Sequence, residues 1–88
     1  MRERLLAWTS GAREDYLYWQ TQDRKTVRRI NLLLADVLRD DPVDGIGTPE
    51  PLKHALAGAW SRRIDEANRL VYVADDARVT ILQARYHY

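Results

Sequence analysis

The chain has 88 residues, with 14 Lys and Arg against 13 Asp and Glu, a formal charge of +1, and no cysteine. Without cysteine there is neither a disulfide framework nor a thiolate metal site, and so even a balance does not by itself argue for nucleic acid. Hydrophobic residues make up 45% and charged residues 31%, which reads as one small globular domain, 1–88, rather than a disordered chain.

The N-terminus, "MRERLLAW", mixes charge with a short apolar run. It fits neither a signal peptide nor a membrane span, so a cytoplasmic protein with no membrane role is the expectation. "ERLLAW" reads as a first strand. Ser10 is placed to cap a helix over "GAREDYLYWQ", with Glu14 and Asp15 near the positive end of its dipole. Ala12, Tyr16 and Trp19 recur at helical spacing. Asp23 is a second cap. Behind it Val27, Ile30, Leu34 and Val37 form an apolar stripe that Leu33 and Leu38 widen. Pro42 predicts that this helix stops before "DDP".

"DPVDGIGTPEP" holds all three prolines and two of the four glycines. It reads as a rigid, irregular connector, and long connectors in small domains tend to be functional. "AWSRRID", "RLVYVAD" and "RVTILQARYHY" then have strand composition, separated by the turns "EAN" and "DDA". The order gives an α+β fold: a mainly antiparallel sheet with two N-terminal helices packed on one face.

Strict alternation along the last strand puts Val79, Ile81, Gln83, Arg85 and His87 on one side. Thr80, Leu82, Ala84, Tyr86 and Tyr88 fall on the other. Matching this to the preceding strands gathers Arg63, Arg69, Arg85 and His87 on one sheet face. Trp60, Ile64, Leu70 and Leu82 are left to meet the helices.

Charge is unevenly spread. Five acids and one base lie between Asp36 and Glu50, whereas six bases and four acids lie from Lys53 onward. The bases are nearly all arginine, whose planar fork suits phosphate, although arginine richness is also a genomic habit. His54 and His87 are the only imidazoles, and neither has a partner at metal-ligand spacing. "GIG" lacks the Lys-Ser/Thr of a phosphate loop, and no serine or threonine sits in a nucleophile elbow. What remains is an acid–base set of carboxylates, histidines and arginines. That set suits RNA cleavage by the substrate's own 2′-hydroxyl, which needs a base, an acid and cations but no metal or cofactor. Structural roles are open for the same residues. Glu50 fits a solvated loop, Arg62 and Arg63 fit the sheet surface, Arg69 fits a pair with Asp65 or Glu66, and His87 fits an exposed strand end.

"DYLYWQ", "PEPLKH", "WSRRI", "RLVY" and the closing "RYHY" occur in that order. Together they resemble the YoeB family, ribosome-dependent endoribonuclease toxins of bacterial type II toxin–antitoxin modules within the RelE-like superfamily. The resemblance runs from about Leu5 to Tyr88 and implies a RelE-like, microbial-RNase-like sheet packed by two helices. It implies cleavage of mRNA in the ribosomal A site, leaving a 2′,3′-cyclic phosphate and a 5′-hydroxyl. By the same resemblance Glu50 of "PEP" is the general base, Arg69 of "RLVY" holds the scissile phosphate, and His87 is the general acid. Tyr88 positions the RNA, and Lys53 and Arg63 line the site. Asn68 stands where the family commonly has histidine before "RLVY", and Ala59 where a larger aromatic often precedes Trp60.

The implied partners are mRNA, the ribosome, and a YefM-like antitoxin whose acidic segment orders on binding. A homodimer is compatible with the sequence. Arg24, Lys25, Arg28 and Arg29 are candidate rRNA contacts. The alternatives are a catalytically inactive toxin-fold protein that only binds antitoxin or RNA, and a nuclease that needs no ribosome.

Overall fold

A computed structural model describes residues 4–39 and 41–86. The elements run β1 (Leu5–Trp8), α1 (Ser10–Gln22), α2 (Arg24–Val37), β2 (Glu50–Pro51), a 3-10 turn (His54–Leu56), β3 (Trp60–Arg63), β4 (Arg69–Ala74) and β5 (Arg78–Gln83). The sheet order is β1-β5-β4-β3-β2. Only the β1–β5 pair is parallel, so the expected α+β architecture stands. No helix among the described residues is long and apolar enough to cross a membrane.

Caps set the helix boundaries. Thr9, one residue earlier than expected, caps α1: its Oγ1 accepts the Ala12 N–H at 3.1 Å. Glu14 and Asp15 therefore fall beyond the first turn, where the helix dipole is weak. Asp23 ends α1 and caps α2 as predicted, accepting the Lys25 amide at 3.0 Å and the Thr26 hydroxyl at 2.9 Å. The Thr26 bond leads the interactions that hold the Asp23 carboxyl below the ordinary range.

The stripe on α2 buries Ile30, Leu33, Leu34 and Val37 against Ile64, Leu70, Tyr72, Val79, Ile81 and Ala84 of the sheet side. Each such fully buried aliphatic contributes about 1.5–3 kcal/mol. Trp19 and Trp60 pack at the margin of this core, and Trp8 lies 5.0 Å from Tyr16, ring centre to ring centre.

Alternation along β5 does not survive to its end. Tyr72 faces Ile81, whereas Val71 faces Gln83, so Leu82 is an extra residue in the ladder. Such a bulge breaks the alternation where it sits, so the residues before it lie on faces opposite to those read back from Gln83 and Ala84. Val79 and Ile81 join the helix-side core rather than the polar face, and Leu82 packs on the opposite side with Leu52, Ala59, Val71 and Val73. Trp60, Ile64 and Leu70 do meet the helices. The strand also ends at Gln83 rather than continuing through "ARYHY".

The long connector is not structureless. Glu50 and Pro51 add a short edge strand opposite Ser61 and Trp60. A proline fits there because an edge strand has unpaired N–H positions.

Candidate active site

Directly opposed residues of an antiparallel pair share a sheet face. Glu50 faces Ser61, Ser61 faces Val71, and Val71 faces Gln83. This row crosses the side of the sheet away from the helices, over a floor of Leu52, Ala59, Val71, Val73 and Leu82. Two residues along, Arg63 faces Arg69. Glu50 and Arg69 are thus separated by two strand spacings and two residues, about 12 Å between Cα atoms.

Each predicted residue among those described has a definite setting. Glu50 is exposed at the sheet edge. Lys53 lines an open cleft of about 320 Å³ with Pro51, Leu52, His54 and Leu56, directly after Glu50 in the chain. The Arg63 side chain is exposed while its backbone is fixed at both ends. Its N–H donates to the Gly47 carbonyl at 2.7 Å, and its own carbonyl accepts Arg29 Nη2 at 2.9 Å.

Arg69 is 9% exposed. Its Nη1 donates to the Asp65 carbonyl at 2.7 Å, and to those of Asn68 at 3.2 Å and Glu66 at 3.3 Å. It pairs with neither the Asp65 nor the Glu66 carboxylate. Backbone oxygens orient this guanidinium without neutralising it, and Nε and Nη2 have no acceptor among the described residues. His87 and Tyr88 lie outside the described residues. Arg85, expected on this face, instead sits over the Tyr18 ring of α1, 3.5 Å from its centroid.

Electrostatics single out the arginine row. Among the described residues the ion pairs join Asp36 to Arg39 and to Arg62. Arg63 and Arg69 are directly opposed and, among the described residues, neither takes part in an ion pair; like charges in that position destabilise a sheet. An anion placed between them relieves the repulsion.

Arg62, which fitted a surface role in the sequence, is fully buried and uses all five of its N–H donors. Nε donates to the Tyr72 hydroxyl at 3.0 Å. Nη1 donates to the Asp36 carboxylate and, at 3.1 Å, to the Ile46 carbonyl. Nη2 donates to the Pro42 and Asp44 carbonyls, each at 2.9 Å. Asp36 also accepts the Ile46 amide at 3.1 Å. The connector leading to Glu50 is thus tied to α2 and the sheet core by one guanidinium.

Gly45 and Gly47, at φ +128° and +82°, let the connector pass. A Cβ on Gly45 would collide with the Asp36 carboxylate, and one on Gly47 would lie 2.8 Å from Leu33. The signal for Arg62 was present in the sequence. It shares strand parity with Trp60 and Ile64, both assigned to the helix side.

Of the candidate rRNA contacts, Arg29 donates to the Arg63 carbonyl, and Arg24 and Arg28 line a shallow groove of about 390 Å³ with Gln20 and Val27.

The family model for the YoeB-like toxin of bacterial type II toxin–antitoxin systems matches residues 8–88. The chain is 54% identical over 83 residues to the Toxin YoeB of Streptomyces coelicolor, covering 94% of this chain and 98% of that protein. The solved YoeB dimer from Staphylococcus aureus superposes with a TM-score of 0.91 at 42% identity, covering 99% of this chain and 100% of that one. The YoeB–YefM complex from the same organism gives 0.88 at 41% identity, covering 99% and 100%. A mainly antiparallel sheet with two helices on one face, an acidic edge strand and an opposed arginine pair are thus found in a chain that belongs to the YoeB-like toxins of type II toxin–antitoxin systems.

Proposed function

We propose that this toxin is an endoribonuclease that cleaves mRNA in the ribosomal A site and so stops translation. The observation that carries the proposal is the opposed Arg63–Arg69 pair, free of ion pairs among the described residues, beside the Glu50 edge strand. Glu50 takes the proton of the 2′-hydroxyl, and the 2′-oxygen attacks the adjacent phosphorus. Charge builds on the phosphoryl oxygens, where Arg69, assisted by Arg63 and Lys53, stabilises it. The bond from phosphorus to the 5′-oxygen breaks as that oxygen receives a proton from the His87 imidazolium. The products are a 2′,3′-cyclic phosphate and a free 5′-hydroxyl. Histidine suits the acid role because its ordinary pKa lies near neutral pH. Tyr88 positions the flanking RNA. The step balances without a metal or other cofactor, since the substrate supplies the nucleophile.

The toxin works in the cytoplasm and is held in check by a YefM-like antitoxin. The Staphylococcus aureus relative has been solved both with YefM and as a dimer. An acidic antitoxin segment laid along the arginine row would compensate the same charge that RNA does. A homodimer is the proposed antitoxin-free state.

The test is to incubate the purified protein with naked RNA and with mRNA-programmed ribosomes, mapping cut sites and end groups. Cleavage confined to ribosomes, with cyclic-phosphate ends, is the expected result. Equal cutting of naked RNA would overturn the ribosome requirement. No cutting in either would leave a toxin-fold protein that only binds.

The role of α2 in docking has its own test. Reversing Arg24 and Arg28 to Glu is expected to weaken ribosome binding roughly tenfold at physiological salt, with less effect at high salt. Sedimentation with empty ribosomes measures this, and unchanged binding would remove α2 from the interface.

A further inference from the structure

The "DYLYWQ" stretch of α1 lies on the helical layer, away from the open sheet face, yet its side chains converge on the end of β5. The Ala84 N–H donates to Asp15 Oδ2 at 3.0 Å, and the Trp19 indole N–H donates to the Ala84 carbonyl at 2.8 Å. Both backbone groups of one fully buried residue are thus held by α1. The Arg85 guanidinium stacks on Tyr18, 3.5 Å from its centroid, and also lies 4.4 Å from the Tyr86 ring centre.

From the other side, Asn68 Oδ1 accepts the Tyr86 N–H at 2.6 Å. The Tyr86 carbonyl accepts the Arg69 amide at 3.0 Å and Gln83 Nε2 at 3.0 Å. Asn68 is itself held by Asp65, to which its Nδ2 donates at 3.1 Å. Tyr86 has φ +69°. A tyrosine keeps such a left-handed conformation only where its surroundings over-determine it. Three consecutive residues beyond the last strand are therefore fixed by side chains of α1 and of the turn before β4.

Hydrophobic burial alone does not account for this. Arg85 is half-buried and Tyr86 is 59% exposed, so neither anchors a core. What the contacts fix is the backbone of Tyr86, beside that of Arg69. We propose that Asp15, Tyr18, Trp19 and Asn68 are positioning residues for the cleavage reaction, holding Ala84–Tyr86 so that His87, the next residue, presents its imidazole to the leaving 5′-oxygen. The cradle matters to chemistry only if His87 is the acid, so it rests on the function proposed above. It also gives the asparagine at position 68 a task, that of fixing the tail by accepting one backbone N–H.

The experiment uses the full-length toxin on programmed ribosomes at saturating toxin, with two mRNAs. One is natural at the cleaved position; the other carries sulfur in place of the bridging 5′-oxygen there. A thiolate leaves without being protonated, so the second substrate has little need of a general acid. Tyr18→Leu and Asn68→Ala are expected to lower the maximal rate on natural mRNA about tenfold to hundredfold. The half-saturating concentration should be unchanged, and the rate on the sulfur substrate close to wild type. Tyr18→Phe, which keeps the ring face, is expected to cleave both at the wild-type rate.

Equal losses on the two substrates, or no loss on natural mRNA, would overturn the cradle. If Tyr18→Leu does not fold, Asn68→Ala decides by the same comparison. His87→Ala is run alongside. Full activity in that variant would overturn the acid assignment itself. A slow His87→Ala beside fast cradle variants would overturn only the positioning role.

Discussion

Replacing Arg69 by alanine is expected to slow cleavage of ribosome-bound mRNA by about 10²–10³-fold. The fold should remain intact. Its guanidinium is held by three backbone carbonyls of an exposed turn, which water can satisfy once the side chain is gone. The loss should fall on the maximal rate, because the charge that Arg69 meets grows as the 2′-oxygen attacks. Arg69→Lys keeps the charge but not the planar fork, so partial recovery is expected.

Lys53 stands in the cleft beyond the edge strand, and Lys53→Ala should cost about tenfold or less. Glu50→Ala is expected to lose about 10²–10⁴-fold, the usual weight of an acid–base partner. Single-turnover cleavage on ribosomes, with melting curves as the control for folding, measures all three. Wild-type cleavage by folded Glu50→Ala would end the base assignment. Equal losses from Arg69→Ala and Lys53→Ala would show that neither is aimed at the transition state in particular.

Arg62→Ala is expected to be the most destabilising substitution in the chain, at about 3–5 kcal/mol. It would leave Asp36 charged, buried and without its main partner, and would free the carbonyls of Pro42, Asp44 and Ile46. Small domains have only about 5–15 kcal/mol in total. Arg62→Lys should fall between, since an ammonium offers three donors where five are used. Urea midpoints give the ranking, and a loss below about 1 kcal/mol for Arg62→Ala would contradict the network.

Acid should act on the same network. Burial raises the Asp36 pKa, but the Arg62 bond, the Ile46 amide and the charges of Arg62 and Arg39 outweigh it and hold the carboxyl below its ordinary 3.8. A depressed carboxyl stabilises the folded chain fully above the unfolded-state pKa. That stabilisation fades as pH falls through the lower folded value. Wild-type stability should therefore drop below about pH 4, and Asp36→Asn should show less of that drop.

Much of this was legible in the sequence because it depends on neighbours in the chain. The α2 stripe of Ile30, Leu33, Leu34 and Val37 follows from helical spacing, and its buried side was read correctly. Asp23 announced a cap, and Trp60, Ile64 and Leu70 announced the helix-facing side of the sheet. Glu50, Arg63 and Arg69 were named from motifs, and strand register brings them onto one face.

The failures share a cause. The bulge at Leu82 inserts one residue and breaks parity within β5, so Val79, Ile81 and Leu82 lie on faces opposite to those expected while Gln83 and Ala84 keep theirs; Arg85, past the strand's end at Gln83, stacks on Tyr18. Alternation gives no warning of a bulge, because it is fixed by the partner strand. Ser10 lost the cap to Thr9 because both hydroxyls suit the position and only the entry of the backbone chooses between them.

The sequence alone determined an α+β layering, a helix pair, and a charged group of Glu50, Arg63 and Arg69 with an implied RNA chemistry. Period, caps and ordered motifs are local, and local signals can be read along one dimension. Only the tertiary structure decided that Arg62 is a buried clamp, that Arg63 and Arg69 stand directly opposed, and that α1 grips the chain at Ala84 and Arg85. Those facts depend on contacts between residues up to 69 positions apart. No periodicity reports such contacts, because they exist only once the sheet has its register.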